Sequence, residues 1–391
     1  MRTFYRVFLG ATAVILVASY ASTVSGSDLE DILREAQRGF VYSGLPEMVQ
    51  ERTNIEKVLA DALPRFPVGS MNGGLTWQME PCTGVTWNLD QRSGVPVLTS
   101  ESYGPLYAER AQTLGKGRVF VSFSYNRIEY DELDGKNIDG LNEIPSVRWD
   151  WGEDTWLEAD AKYGLDITSN VFTMQATYGV TDRWDIGILL PYIRHRISVD
   201  AEEIIRWRDR YAETPPDVPN HEISNVNDIN NEAGGVGDIV VRSKYLLRAC
   251  QLVDISVGLD VRTPTGDEES WLGTGDVGIK PYLILSNAFG RFEPHLNIGH
   301  EWNTTHSNRN SIRYAGGLDV KVHDRVTVAG DVIGMSLYNG HNEDVDIIDG
   351  NVGVKVNVAR DILLTASAFI PINNDGLRAD VIGTVGLECA F

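Results

Sequence analysis

From Arg118 to the last residue, apolar and polar side chains alternate in runs of about ten residues, the period of a β-strand with two unlike faces. The first run is RVFVSFSYNR, with Val119, Val121, Phe123 and Tyr125 on one face. In DISVGLDVRT, Ile255, Val257, Leu259 and Val261 oppose Ser256, Gly258, Asp260 and Arg262. In GNVGVKVNV, Val352, Val354, Val356 and Val358 oppose Asn351, Gly353, Lys355 and Asn357. The terminal run DVIGTVGLECAF sets Val381, Gly383, Val385, Leu387, Cys389 and Phe391 on one side. About twelve such runs predict twelve antiparallel strands, each long enough to cross a bilayer core when tilted. Two weaker runs, GLTWQME and VPVLTSES, would raise the number to fourteen if they joined the wall.

The connections alternate as well. Short linkers at GVTDRW, ACQLVD, AFGRF, VHDRV and VARDI exchange with longer Asp-, Asn-, Glu- and Gly-rich ones at 131–160, 201–235, 264–275, 303–311, 339–348 and 373–379. A soluble sandwich shares the strand period but has no reason to keep that order. A transmembrane barrel does, because its two ends face different compartments. Arg or Lys turned toward lipid at the midplane would cost about 2–4 kcal/mol. The polar face is therefore expected to line the interior. The charged candidates for that lining are Asp238, Arg242, Lys244, Asp260, Arg262, Lys280, Asp319, Lys321, Asp331 and Lys355. They mix both signs, which suits a self-neutralised filling or a selective path equally. RTPTGDEES (262–270), where a strand meets a long connection, is a candidate for the mouth.

Before the alternation, residues 28–66 carry Leu, Ile, Val and Met at helical spacing, including Leu45, Met48, Ile55, Leu59 and Leu63. The chain therefore divides into an export signal (1–26), a helical or plug-like segment (27–116) and an outer-membrane barrel (117–391). The signal rests on Arg2 and Arg6 ahead of VFLGATAVILVASYA, with cleavage after Ala21 or Gly26. That apolar run is shorter than the about 20 residues a spanning helix needs.

Charge narrows the partners. With 34 Lys+Arg against 55 Asp+Glu, the net charge is −21, which argues against nucleic-acid binding. Cys82, Cys250 and Cys389 have no metal-binding spacing and are read as incidental. GTGDVG fits GxGxxG, but an acidic loop precedes it and a strand follows, the wrong setting for a dinucleotide. HEWNTTH lacks the zinc-protease spacing, and Asp344, Asp346 and Asp349 lack that of a calcium loop. No nucleophile stands with a base, so no catalytic residue, metal or cofactor is expected and the protein is read as a non-enzyme.

Several stretches carry a family likeness: residues 102–135 (SYGPLYAERAQTLGKGRVFVSFSYNRIEYDELDG), 179–197 (GVTDRWDIGILLPYIRHRI), 234–247 (GGVGDIVVRSKYLL), 258–284 (GLDVRTPTGDEESWLGTGDVGIKPYLI) and 290–303 (GRFEPHLNIGHEWN). Over most of residues 100–391 the chain resembles outer-membrane transporters of the phenol-degradation meta-pathway (MetA) type, which are distantly like fatty-acid and aromatic-hydrocarbon channels. The 201–235 stretch stands outside that likeness. The resemblance implies a Gram-negative outer-membrane barrel passing small hydrophobic or aromatic molecules passively. By the same kind of resemblance, Phe391 would be the signal read by the barrel-insertion machinery. The implied partners are that machinery, outer-membrane lipid and lipopolysaccharide, and a small hydrophobic solute. The alternative is a closed structural or surface-binding barrel that transports nothing.

Overall fold

The computed structural model describes residues 87–89, 96–98, 102–133, 135–139, 147–150, 156–208, 221–249, 252–268, 270–305, 310–337, 345–359 and 362–391. The signal and the helical segment over 28–66 lie outside these residues.

Twelve antiparallel strands close into a barrel. In chain order they are β1 (Val119–Tyr130), β2 (Trp156–Thr181), β3 (Trp184–Arg208) and β4 (Ile239–Arg248). Next come β5 (Asp254–Thr263), β6 (Gly278–Ser286), β7 (Phe292–Asn303) and β8 (Ser311–His323). The last four are β9 (Val326–Leu337), β10 (Val345–Ala359), β11 (Ile362–Pro371) and β12 (Ile382–Ala390). Each strand pairs with its sequence neighbours, and β12 returns to β1 in the register Ala390↔Phe120 to Gly383↔Arg127. The seam is finished by Val119 and Phe391, whose backbones exchange hydrogen bonds of 2.8 and 2.9 Å. Closure leaves no unpaired wall edge, the condition for strands to cross a bilayer. Trp87–Leu89 and Pro96–Leu98 pair with each other and not with the wall. The described wall closes with twelve strands; of the two weaker runs, VPVLTSES gives Pro96–Leu98 to that separate pair, and GLTWQME lies outside the described residues.

Burial follows the alternation. Val257, Leu259, Val328, Val332, Val352 and Val385 are exposed on the outside, while Ser256, Asp260, Thr327, Asp331, Asn351 and Thr384 are buried inside. Aromatic side chains bound this aliphatic band. Tyr178, Trp184, Tyr245, Phe289, Phe292 and Phe391 are exposed near the short turns. Toward the long connections, Tyr125, Phe172 and Tyr192 share one row across β1–β3. Two aromatic girdles around an apolar band are the lipid-facing pattern of membrane barrels.

Two connections expected to be loops are partly strand. β2 and β3 pair from Thr181↔Trp184 out to Trp156↔Arg208, far beyond the Trp184–Leu189 stretch of β3 that β4 covers. His221–Val236 then pairs with the upper half of β3, and Val147–Asp150 with the start of β2. Residues 147–150, 156–160, 201–208 and 221–235 therefore build a sheet that rises past the wall. Asp-, Asn- and Glu-rich composition disguised it, because the pairing is made by backbone groups whatever side chains they carry.

Candidate functional site: the plugged lumen

Residues 102–117 cross the inside of the barrel near the short-turn end without regular secondary structure. Over 102–114 these residues are almost all buried, so their backbone groups need partners. Inward-facing wall side chains supply them. Thr327 Oγ1 accepts from the Tyr103 N–H at 2.9 Å, and Asp331 Oδ2 accepts from the Leu106 and Tyr107 N–H groups at 3.3 and 3.2 Å. Asn297 accepts from the Glu109 N–H, Ser286 from Ala111 at 2.9 Å and Asp185 from Leu114 at 3.0 Å. The segment thus runs from β9 across to the β2–β3 turn, where Gly117 N–H donates to the Gly179 carbonyl at 2.7 Å. Gly115 bends the chain at φ 91°, and a Cβ on Gly179 would collide with its carbonyl. Only glycine on β2 lets the backbones approach so closely.

Two adjacent side chains of opposite charge fasten the middle. Glu109 reaches β4, with Oε1 3.0 Å from Arg242 and Oε2 3.1 Å from Lys244. Arg110 turns toward β7 and β8, 2.9 Å from Glu293 and 3.2 Å from Asp319, and also donates to Ser102. The Ser102 hydroxyl in turn donates to Asp319 and lies 3.0 Å from Glu293. His295 lies between two carboxylates, its Nε2 2.8 Å from Asp331 and its Nδ1 3.4 Å from Asp319. Arg110, Glu293 and Asp319 are all at most 1% exposed.

The sequence candidates fall at different levels of this lumen. Asp260 takes a bidentate pair from Arg242 (3.0 and 2.9 Å) and also holds Lys280 at 3.2 Å. Lys244 adds the Arg110 carbonyl at 3.2 Å, and Lys355 pairs with Glu388 at 2.9 Å. Arg262 bridges Asp238 (3.1 Å) and Glu301 (2.7 Å) nearer the long connections. Lys321 is half-buried at the short-turn rim, 3.3 Å from Asp324. Glu301 points into the lumen from HEWNTTH and also binds Arg313 at 2.8 Å. Asp349 points inward to Arg378 at 2.6 Å while Asp346 is exposed on the other face, so those two carboxylates do not converge.

Residues 264–277 fold inward at the mouth. Asp238 holds them by accepting from the Gly266 and Thr274 N–H groups at 3.0 and 2.8 Å. Buried Trp271, at φ 58°, presents its carbonyl 3.0 Å from His195 Nε2. GTGDVG therefore belongs to this inward loop and its return into β6.

The interior is not polar throughout, as the strand pattern had suggested. Inward positions toward the long connections on β1–β3 and β9–β12 form one apolar cluster, including Ile128, Val171, Ile193, Ile333, Met335 and Phe369. Trp271 and Leu272 complete it, and Tyr107 of the crossing segment packs on Phe369 with ring centroids 4.4 Å apart. Beside Tyr107 and Glu109 lies a cavity of about 80 Å³, walled by Arg242, Asp260, Lys280, Tyr282, Asn297, Arg313 and Ile333, with room for several ordered waters. Polar wall residues sit where the crossing backbone needs partners, and apolar ones where Tyr107, Trp271 and Leu272 meet the wall.

Strand parity could have found Glu293, His295 and Glu301, which alternate inward along EPHLNIGHE. Nothing periodic marks Glu109 and Arg110, whose roles depend on what they meet across the barrel.

A family model described as "Putative MetA-pathway of phenol degradation" matches residues 152–374, more than half of the chain. The chain belongs to that family. No curated protein matches it. Among solved structures, this MetA-family chain is similar to an outer membrane channel from Pseudomonas putida F1, with 13% identity, 72% of this chain and 98% of that one covered, and a TM-score of 0.47. It is also similar to the KdgM porin (10% identity, 69% and 99% covered, TM-score 0.35). The CymD monoaromatic hydrocarbon channel is 9% identical, with 71% and 89% covered and a TM-score of 0.35.

Proposed function

We propose that this MetA-family barrel sits in the outer membrane of a Gram-negative bacterium and lets small hydrophobic or aromatic molecules diffuse inward, with no catalysis and no cofactor. The aliphatic band between aromatic girdles supports the membrane setting, and by the usual asymmetry of such barrels the long connections face outward. The observation that carries the solute class is the apolar cluster that descends from Trp271 to Phe369 and meets Tyr107. A hydrophobic solute entering there leaves water early and meets the charged layer only at the plug. The lumen charges Asp238, Arg242, Lys244, Asp260, Arg262, Lys280, Asp319, Asp331 and Lys355 serve chiefly to seat the plug and the mouth loop in this reading. Phe391 and its strand would be recognised by the insertion machinery, and lipid with lipopolysaccharide would surround the band.

The test is entry of a phenol-sized aromatic and of a sugar of similar mass into proteoliposomes. The aromatic is expected to enter faster, and Met335→Asn, which places an amide in the apolar cluster, to slow it without changing the sugar. Neither solute crossing through a barrel shown to be folded would leave the closed structural barrel, which the buried pairs around Arg110 favour.

A further inference from the structure

One cationic feature lies outside the lumen. Directly above the row Tyr125–Phe172–Tyr192, the next outward row is Arg127–Asn170–Arg194, and the one after it Glu129–Thr168–Arg196–Glu232. Tyr125 and Phe172 stack with centroids 4.7 Å apart, and the Tyr125 hydroxyl donates to Asn170 at 2.8 Å, so the lower row is fixed beneath the guanidiniums. The side chains of Arg127, Arg194 and Arg196 are 59%, 61% and 65% exposed. At the same end of β5, β6 and β8, by contrast, Arg262, Lys280 and Arg313 point inward and are only 11%, 10% and 10% exposed. A chain of net charge −21 thus gathers three outward arginines on β1 and β3, on either side of Asn170 and Thr168 of β2, at headgroup depth.

We propose that this face of β1–β3 is a binding site for the phosphate of lipid A, the lipopolysaccharide anchor in the outer leaflet. The acyl chains lie along the aliphatic band and the aromatic row, and the phosphate sits against the guanidiniums of Arg127, Arg194 and Arg196. Guanidinium presents five donors in a fork that matches a phosphate. Glu232 accepts from Arg194 at 2.8 Å and from Arg196 at 2.7 Å, and Glu129 accepts from Arg127 at 2.7 Å. Exposed ion pairs of this kind are weak, so a phosphate can displace them. Without lipid they keep the arginines extended across the rim.

The site rests on the outward orientation of the long connections proposed above. Antibody access on intact cells to a tag inserted within residues 209–220 tests that orientation by itself, so its failure is separable from failure of the site. The site is tested with the full chain in detergent, using native mass spectrometry and bis-phosphorylated lipid A. The triple variant Arg127→Gln, Arg194→Gln, Arg196→Gln is expected to retain at least about tenfold less lipid A than the parent. Lipid A stripped of phosphate should bind the parent as poorly as phosphorylated lipid A binds the variant. Glu232→Gln should raise retention by freeing two guanidiniums. Equal binding of stripped and phosphorylated lipid A would overturn the site, as would full retention by the triple variant or displacement by millimolar inorganic phosphate. Should the triple variant not fold, the stripped lipid and Glu232→Gln still decide.

Discussion

Replacing Arg110 by Met removes the guanidinium that separates Glu293 from Asp319 and keeps a side chain of similar length. Both carboxylates then lose that guanidinium while staying buried, with Asp319 still 3.4 Å from His295 Nδ1. Breaking a buried pair from one side costs about 3–5 kcal/mol, because the abandoned charge stays out of water. The wall is held by its own ladders, so the cost falls on seating residues 102–116 rather than on closing the barrel. At 1.4 kcal/mol per factor of ten, the seated population falls relative to the released one by about a hundred- to a few thousand-fold. The first readout is hydrogen exchange at Leu106, Tyr107, Ala111 and Leu114, whose N–H groups donate to wall side chains. Their protection should fall by about that factor while β5–β12 amides keep theirs. The second is conductance in a planar bilayer, expected to rise from brief or small events to longer, larger ones. Adding Glu293→Gln and Asp319→Asn removes the stranded charges and should restore much of the protection, as a double-mutant logic requires. Unchanged exchange and unchanged conductance in a folded Arg110→Met barrel would refute the reasoning, since the pair would then hold nothing that blocks the lumen.

Three further outcomes follow from the same geometry. Val257→Arg, on the outward face of β5 amid the aliphatic band, should cost about 2–4 kcal/mol in a urea titration of the vesicle-inserted barrel, and a cost near zero would mean that this face does not meet lipid. Asp238→Asn weakens the hold on Arg262 and on the Gly266 and Thr274 amides, so exchange in residues 264–277 should quicken while the strand ladder of β4 and β5 stays protected. Gly179→Ala drives a methyl into the Gly115 carbonyl and should cost about 1–3 kcal/mol in the same urea titration, whereas Gly383→Ala, where a Cβ meets nothing, should be nearly silent.

Much of the wall was legible from residue order. A period of two fixes which side chains share a face, and a charge on one face fixes which face cannot meet lipid at mid-depth. Val257, Val352 and Val385 therefore turned outward, and Asp260, Arg262 and Lys355 inward, as their alternation requires. The exchange of short and long connections gave an even, up-and-down order. The rising sheet was not legible, because His221–Val236 is paired by backbone groups and carries no apolar alternation to announce it.

Depth and partnership were decided by the tertiary structure. Parity places Asp331 and Ile333 on one inner face of β9, but only the path of residues 102–116 makes one an acceptor for Tyr107 and the other part of an apolar wall. Glu109 and Arg110 are neighbours in the chain with unremarkable surroundings. They find Lys244 and Asp319, 135 and 209 residues away, because closure of the barrel brings β4 and β8 to opposite sides of one strand of backbone. Local periodicity reports the direction of a side chain, since that depends on φ and ψ alone. The group it meets across a closed wall depends on register, shear and what fills the interior, and those are properties of all twelve strands together.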